Sequence, residues 1–237
     1  MRVALNNPPS SFVAIYGGSF DPLHKAHSEI IRLLCEDSLF WHIILLPNYA
    51  NPLKPPPLFS ALERLKMCQI MANAYNARYS SLTSLPKVAV SDYEVGQNKP
   101  VFSVQSIGVI EAQMRQTYPH AQFAFVLGSD SFASLAQWNQ PQKLCKMVQF
   151  VLIHRKLLHN PQYPQSLKNP LPQSHTESID ECKMPLKAKI LKHFSLGAFD
   201  AFSSSKVRYL LENARTQAAL EMIPTNIHSI IKTHFQL

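Results

Sequence analysis

Two histidines three residues apart, His24 and His27, follow directly on Gly17-Gly18-Ser19-Phe20-Asp21-Pro22. That spacing puts both imidazoles on one face of a first helical turn. Glycines without a Cβ let the chain turn sharply and bare its N–H groups to an anion. A helix start already favours negative charge. Residues of these types in this order suit a phosphate-bearing polyanion. A zinc site would need a third ligand nearby, and zinc helices more commonly carry their two histidines four apart. The expectation is therefore a phosphate clamp with no protein-bound metal.

Three further groups could act with it. In Phe202-Ser203-Ser204-Ser205-Lys206-Val207-Arg208, hydroxyls at a helix start precede an arginine one turn in, which makes a second anion site. Gly128 lets a ligand approach the backbone, Asp130 offers a carboxylate to a ribose hydroxyl, and Trp138 follows eight positions later as a stacking face. Lys54 is a long cation in the stiff Pro-rich loop Pro47 to Pro57. Ser103 is expected to cap a helix running to about Gln116.

The elements that must carry these groups are legible as periodicity. Apolar runs at Phe12–Ile15, Ile43–Leu46, Val88–Val90, Phe123–Leu127 and Val148–Ile153 predict five strands. Ile30, Ile31, Leu33, Leu34 and Cys35 repeat at helical spacing after the first of them. Ser60-Ala61-Leu62-Glu63 is a capping box opening a helix to Met71 or Ala74, with Leu62, Leu65, Met67, Ile70 and Met71 expected to face the core. Ile223 to Phe235, beginning near Pro224, predicts a closing helix. Strands alternating with helices imply an α/β fold with a doubly wound, mostly parallel sheet. The turns carrying the candidate residues then lie at the carboxyl ends of the strands, where such sheets bind ligands.

Composition narrows the function classes. The 237 residues are 46% apolar, enough for one domain with a sizeable core. Residues 1–11 are expected to be a loose lead-in, and 157–185, rich in proline and polar residues, a surface insertion. No apolar run approaches the roughly 20 residues of a membrane span, and no signal-peptide core is present, so the expected compartment is the cytoplasm. Cys35, Cys68, Cys145 and Cys182 form no C-x-x-C pair and are expected to be free thiols. The net charge of +8 suits anionic substrates and would also suit nucleic acid, yet the basic residues are scattered without the stripe and exposed aromatics a nucleic-acid binder needs. Six glycines cannot supply a G-x-G-x-x-G, a P-loop or a G-x-S-x-G elbow, which disfavours dinucleotide-binding, P-loop and serine-hydrolase chemistries.

Gly17 to His27 resembles the G-G-S/T-F-D-P-x-H-x-G-H signature of the nucleotidyltransferases, with Ala26 where Gly is usual. Phe202 to Arg208 is similar to their I-S-S-T-x-I-R segment. Pro100 to Ile107 resembles P-x-Y-T-x-x-T-L, and Gly128 to Trp138 is similar to G-x-D-x-x-x-x-L-x-x-W of the nicotinate-nucleotide adenylyltransferases. The resemblance covers Phe12 to about Leu211 and implies a Rossmann-like nucleotidyltransferase domain with a small C-terminal helical part. It implies adenylyl transfer from ATP to nicotinate mononucleotide, with magnesium (Mg2+) carried in on ATP. Pantetheine phosphate and nicotinamide mononucleotide are the rival acceptors. His24, His27 and Arg208 would be catalytic. Gly17, Gly18, Ser19, Phe20, Lys54, Gly128, Asp130, Ser204 and Ser205 would bind ATP, while Ser103, Trp138 and Asn139 would bind the pyridine nucleotide. Nucleic acid and membrane are not expected partners; a homo-oligomer is compatible with the sequence. Arg155 stands where the family frequently has the arginine of Arg-Pro-Gly, and no role is assigned to it.

Overall fold

A computed structural model describes residues 11–51, 55–79, 86–155 and 187–236. The apolar run after Ser11 forms β1 (Phe12–Gly18), and the periodic segment after His24 forms α1 (Lys25–Glu36). Then follow β2 (Phe40–Pro47), α2 (Ala61–Arg78), β3 (Val88–Val90), α3 (Tyr93–Gly96) and α4 (Ser103–Arg115). Next come β4 (Gln122–Gly128), α5 (Ser129–Ala133), a 3-10 turn at Leu135–Gln137, α6 (Pro141–Met147) and β5 (Gln149–His154). The chain closes with β6 (Ile190–Ser195), α7 (Ser204–Glu212), α8 (Thr216–Glu221) and α9 (His228–Phe235).

The described strands make one sheet in the order β3-β2-β1-β4-β5-β6, with every neighbouring pair parallel. Each strand is right for this because both of its faces are covered. In β1, Phe12, Ala14 and Tyr16 pack towards α1, α2 and α7–α9, while Val13 and Ile15 pack towards α4, α5 and α6. The doubly wound expectation holds, with one strand more than the sequence suggested. That strand, β6, lies at the sheet edge and interleaves Lys192, His193 and Ser195 with its apolar residues, so its half-exposed pattern hides it. The loose lead-in, apart from Ser11, and all of the expected insertion lie outside the described residues.

Two expectations are corrected. Leu62 is 71% exposed, because the buried stripe of α2 is set by Arg64, Met67, Cys68, Met71 and Ala72, and Leu62 falls off that face. The capping box itself is present: the Ser60 hydroxyl accepts from Glu63 N at 3.2 Å, and Glu63 accepts from Ser60 N at 2.8 Å. The closing helix is not continuous from Ile223. A 3-10 turn at Thr225–Ile227 precedes α9, since Pro224 has no N–H to continue a ladder. Cys35 and Cys68 are buried free thiols as expected, Cys145 is half-buried, and Cys182 lies outside the described residues. Among the described residues no helix is long and apolar enough to cross a membrane.

His42 gives the fold a specific acid sensitivity. It is buried in β2, with Nδ1 2.7 Å from the Pro86 carbonyl, and burial pushes its pKa from 6.5 down to about 4. The unfolded chain therefore takes up a proton below pH 6.5 that the folded chain refuses. This contribution is intact above the unfolded value and is lost as pH falls through the folded one, by roughly 2–4 kcal/mol. Urea unfolding of wild type and His42→Gln should diverge in slope against pH across that window; parallel curves would refute the assignment.

Candidate active site

At the carboxyl end of β1 the chain must leave the sheet at once, and glycine is used for close approach. Gly17 and Gly18 both lie within β1, and neither has a positive φ; the left-handed residue of the turn is Phe20, at φ 50. The sharp turn expected at the glycines is thus displaced to Phe20. A Cβ on Gly17 would stand 3.1 Å from the Phe125 ring, and one on Gly18 would stand 3.2 Å from the Phe20 ring. The Phe20 side chain is buried edge-on against Tyr16 and His27. The Phe20 ring is therefore used in packing beneath the turn.

His24 takes extended backbone angles as the N-cap of α1, and His27 is the third helical residue. The His24 N–H donates to His27 Nδ1 at 3.2 Å, and the two rings stack at 3.8 Å between centroids. An accepting Nδ1 leaves the His27 proton on Nε2, so the ring offers an N–H donor. His24 is 1% exposed, and its Nδ1 has no partner among the described residues. Burial first, then His27, Arg155 and Arg208, holds its pKa well below the usual histidine value. A neutral His24 leaves the positive charge of the site on the guanidinium groups.

The serine-rich segment arrives from the far end of the chain. Ser203 caps α7, its hydroxyl accepting from Lys206 N at 3.2 Å. Ser204 Oγ donates to the Pro22 carbonyl at 3.2 Å. Arg208 Nη1 donates to the Asp21 carbonyl at 2.6 Å and lies 3.3 Å from Asp21 Oδ2, while Nη2 reaches Ser205 Oγ at 3.2 Å. The histidine turn and the serine-rich segment are thus brought together. Arg155, directly after β5, is exposed and close enough to lower the basicity of His24.

Two residues that hold this arrangement were not singled out from the sequence. Asp21 accepts from Phe59 N at 2.8 Å and Leu58 N at 3.0 Å, joining the histidine turn to the end of the Pro-rich loop. Arg64, completely buried on α2, donates to the carbonyls of Ser19 and Asn48 at 2.7 Å, Tyr49 at 2.5 Å and Phe59 at 3.1 Å. The signal was present as a charged residue on an otherwise apolar stripe. Lys54 lies outside the described residues.

On the other face of the sheet, Gly128 precedes α5, and a Cβ there would lie 2.3 Å from Asp130 Oδ1, so the carboxylate folds back over the glycine. Trp138 is half-buried, donates through Nε1 to Ser134 Oγ at 3.3 Å, and meets Phe125 edge-on at 6.4 Å. Phe125 is the ring that Gly17 leaves room for, so the tryptophan and the histidine turn share one contact chain. Asn139 is exposed beside Trp138, in the turn before α6, and α6 packs against α4. Ser103 is not the cap expected. It is the first helical residue of α4, after Phe102, whose N–H reaches Gln105 Oε1 at 3.4 Å. The order of the sheet reverses between β1 and β4, so the crevice between these two groups is the topological switch point, where open α/β sheets bind ligands.

Residues 15–210 match the cytidylyltransferase-like family. The chain is 45% identical to a Helicobacter hepaticus protein named "Probable nicotinate-nucleotide adenylyltransferase", over 96% of this chain and 98% of that one. A Helicobacter pylori protein of the same name is 34% identical over 60% of this chain and 74% of its own. The fold is also that of Plasmodium falciparum nicotinic acid mononucleotide adenylyltransferase complexed with NaAD, with a TM-score of 0.61 at 22% identity, covering 94% of this chain and 96% of that one. By match, by fold and by the convergence of its motifs at the switch point, the chain belongs to the cytidylyltransferase-like family, among the proteins named nicotinate-nucleotide adenylyltransferase.

Proposed function

We propose that this enzyme transfers the adenylyl group of ATP to nicotinate mononucleotide, yielding nicotinate adenine dinucleotide and pyrophosphate. The observation that carries the reading is the docking of α7 onto the histidine turn, which gathers His24, His27, Ser205 and Arg208 at the start of α1. No side-chain nucleophile is needed. A phosphate oxygen of nicotinate mononucleotide attacks the α-phosphorus of ATP in line, a new P–O bond forms, and the bond to the bridging oxygen of pyrophosphate breaks. Catalysis then rests on positioning and on donors aimed at developing charge.

The His27 Nε2–H and the backbone of the Gly17–Ser19 segment face that charge, with His24 held beside them as a neutral ring. Arg208, Ser204 and Ser205 hold the β- and γ-phosphates, and Lys54 is assigned a further phosphate contact from sequence alone. Gly128 and Asp130 hold the adenosine ribose. The pyridine stacks on Trp138, and its carboxylate is received by backbone N–H groups at the start of α4, near Ser103, and near Asn139. Magnesium is assigned as entering on the ATP phosphates, since it binds through one or two carboxylates plus substrate phosphates more often than in an all-protein cage. When bound, that ion would neutralise charge on the departing pyrophosphate.

The test is pyrophosphate release with ATP and three acceptors: nicotinate mononucleotide, nicotinamide mononucleotide and phosphopantetheine. Fastest turnover with either of the last two would sink the reading. Arg208→Ala should raise KM for ATP by about tenfold or more, and less for the pyridine nucleotide, because charge-assisted hydrogen bonds contribute ~1.5–3 kcal/mol. Lysine should restore only part, lacking the fork. Equal effects on both KM values would remove the assignment. Trp138→Ala should cost ~1–3 kcal/mol of stacking with either pyridine; an unchanged KM for both would contradict the platform role.

A further inference from the structure

Two carboxyl side chains are buried among the described residues, Asp21 and Glu94. Asp21 is compensated by two backbone N–H groups and Arg208. Glu94 is not compensated in this way. It is 6% exposed on the four-residue α3, at the carboxyl side of β3, and its hydrogen-bond partner is Ser106, whose hydroxyl donates to Oε1 at 2.6 Å. Ser106 is itself fully buried and is the fourth helical residue of α4, one turn behind the start at Ser103. A buried carboxyl with one hydroxyl and no cation is an expensive group to keep for packing alone.

We infer that Glu94, through the hydrogen bond from Ser106, positions the first turn of α4 and sets how strongly that helix end favours the carboxylate of the nicotinate nucleotide over the neutral amide. The inference rests on the reading that the pyridine carboxylate is received at the start of α4. An ionised Glu94 one turn behind that start opposes an incoming anion; a protonated Glu94 keeps the Ser106 contact without opposing it. The neutral amide of the rival nucleotide is indifferent to the change.

Burial raises the Glu94 pKa, and the Ser106 hydroxyl works against that rise. Asp92 and Tyr93 adjoin Glu94 in sequence. From α2 and β2, which pack on α3, and from α4, no ionisable side chain among the described residues contributes to its titration. The sign follows. Below the raised pKa Glu94 is neutral and selectivity for the acid is high. As pH rises through that value the charge appears and selectivity falls.

The experiment is kcat/KM for nicotinate and nicotinamide mononucleotides from about pH 5 to about pH 8.5, a span in which buried glutamates titrate, in wild type and Glu94→Gln. The glutamine can still accept from Ser106. The expected wild-type ratio of acid to amide falls by about tenfold across the range through KM for the acid, with kcat steady. Glu94→Gln should hold the ratio high and flat. A variant whose profile follows wild type, or one that loses both substrates equally, overturns the inference. A wild type with no preference for the acid at any pH instead overturns the underlying reading of α4. If Glu94→Gln fails to fold, calorimetry on wild type in buffers of different ionisation enthalpy decides. Binding of the acid should take up more protons than binding of the amide, and equal uptake refutes the inference.

Discussion

His27→Ala is expected to lower kcat by ~10²–10³-fold, the loss typical of removing one preorganised donor from a developing charge. The ring is fixed from two sides. Its Nδ1 takes the His24 N–H at 3.2 Å, and its face stacks on His24 at 3.8 Å, which puts the ring proton on Nε2. The fold should survive, since one lost hydrogen bond contributes only ~0.5–1.5 kcal/mol. His27→Asn is the informative companion: it retains an acceptor for the His24 N–H but does not place a donor where the imidazole does. Both variants should show normal urea midpoints and little turnover. Near wild-type kcat in His27→Ala at unchanged stability would remove the central claim about this site.

Arg64→Met is expected to destabilise the protein by ~3–5 kcal/mol. Arg64 has no exposed surface, and its guanidinium supplies donors to four carbonyls from two separate connections, β1–α1 and β2–α2. Removing it strands those carbonyls without partners, and methionine fills volume without replacing a single donor. Arg64→Lys should recover little, because a point charge reaches fewer of the carbonyls than a fork does. Denaturation midpoints with an unchanged slope measure this directly. A loss below about 1 kcal/mol would show that the loops hold themselves. KM for ATP should rise in any variant that still folds, since Ser19 and Asn48 flank the histidine turn.

The parts of the site legible in the sequence were those with local chemistry. The histidine pair, the serine run with Arg208 and the Gly128–Asp130–Trp138 group each carry their signal within a dozen residues, and each lies where a strand ends or a helix begins. What escaped was long-range. Nothing beside Arg64 in the sequence says which carbonyls it serves, and Asp21 reads locally as a turn residue although the distant Leu58 and Phe59 amides both donate to it. The glycines were legible as necessary but for the wrong reason: aromatic rings 3.1 and 3.2 Å away exclude a Cβ, while Phe20 makes the turn. Ser103 failed as a cap because the extended residue before the helix is Phe102, one position earlier. The edge strand β6 failed because half-burial removes the apolar run that marks a central strand.

The contact between Ser204 and the Pro22 carbonyl spans 182 positions of the chain, and that between Arg208 and Asp21 spans 187. During synthesis the amino-terminal strands and α1 are made long before α7 leaves the ribosome. A nascent chain can already pair β1 with β2, yet its phosphate site has no arginine. On the proposed assignment, catalytic competence requires α7, whose Ser204 and Arg208 meet a turn made at the beginning. A truncation between Ser195 and Ser204 would keep every described strand, and on the proposed assignment it should abolish the hold on the triphosphate.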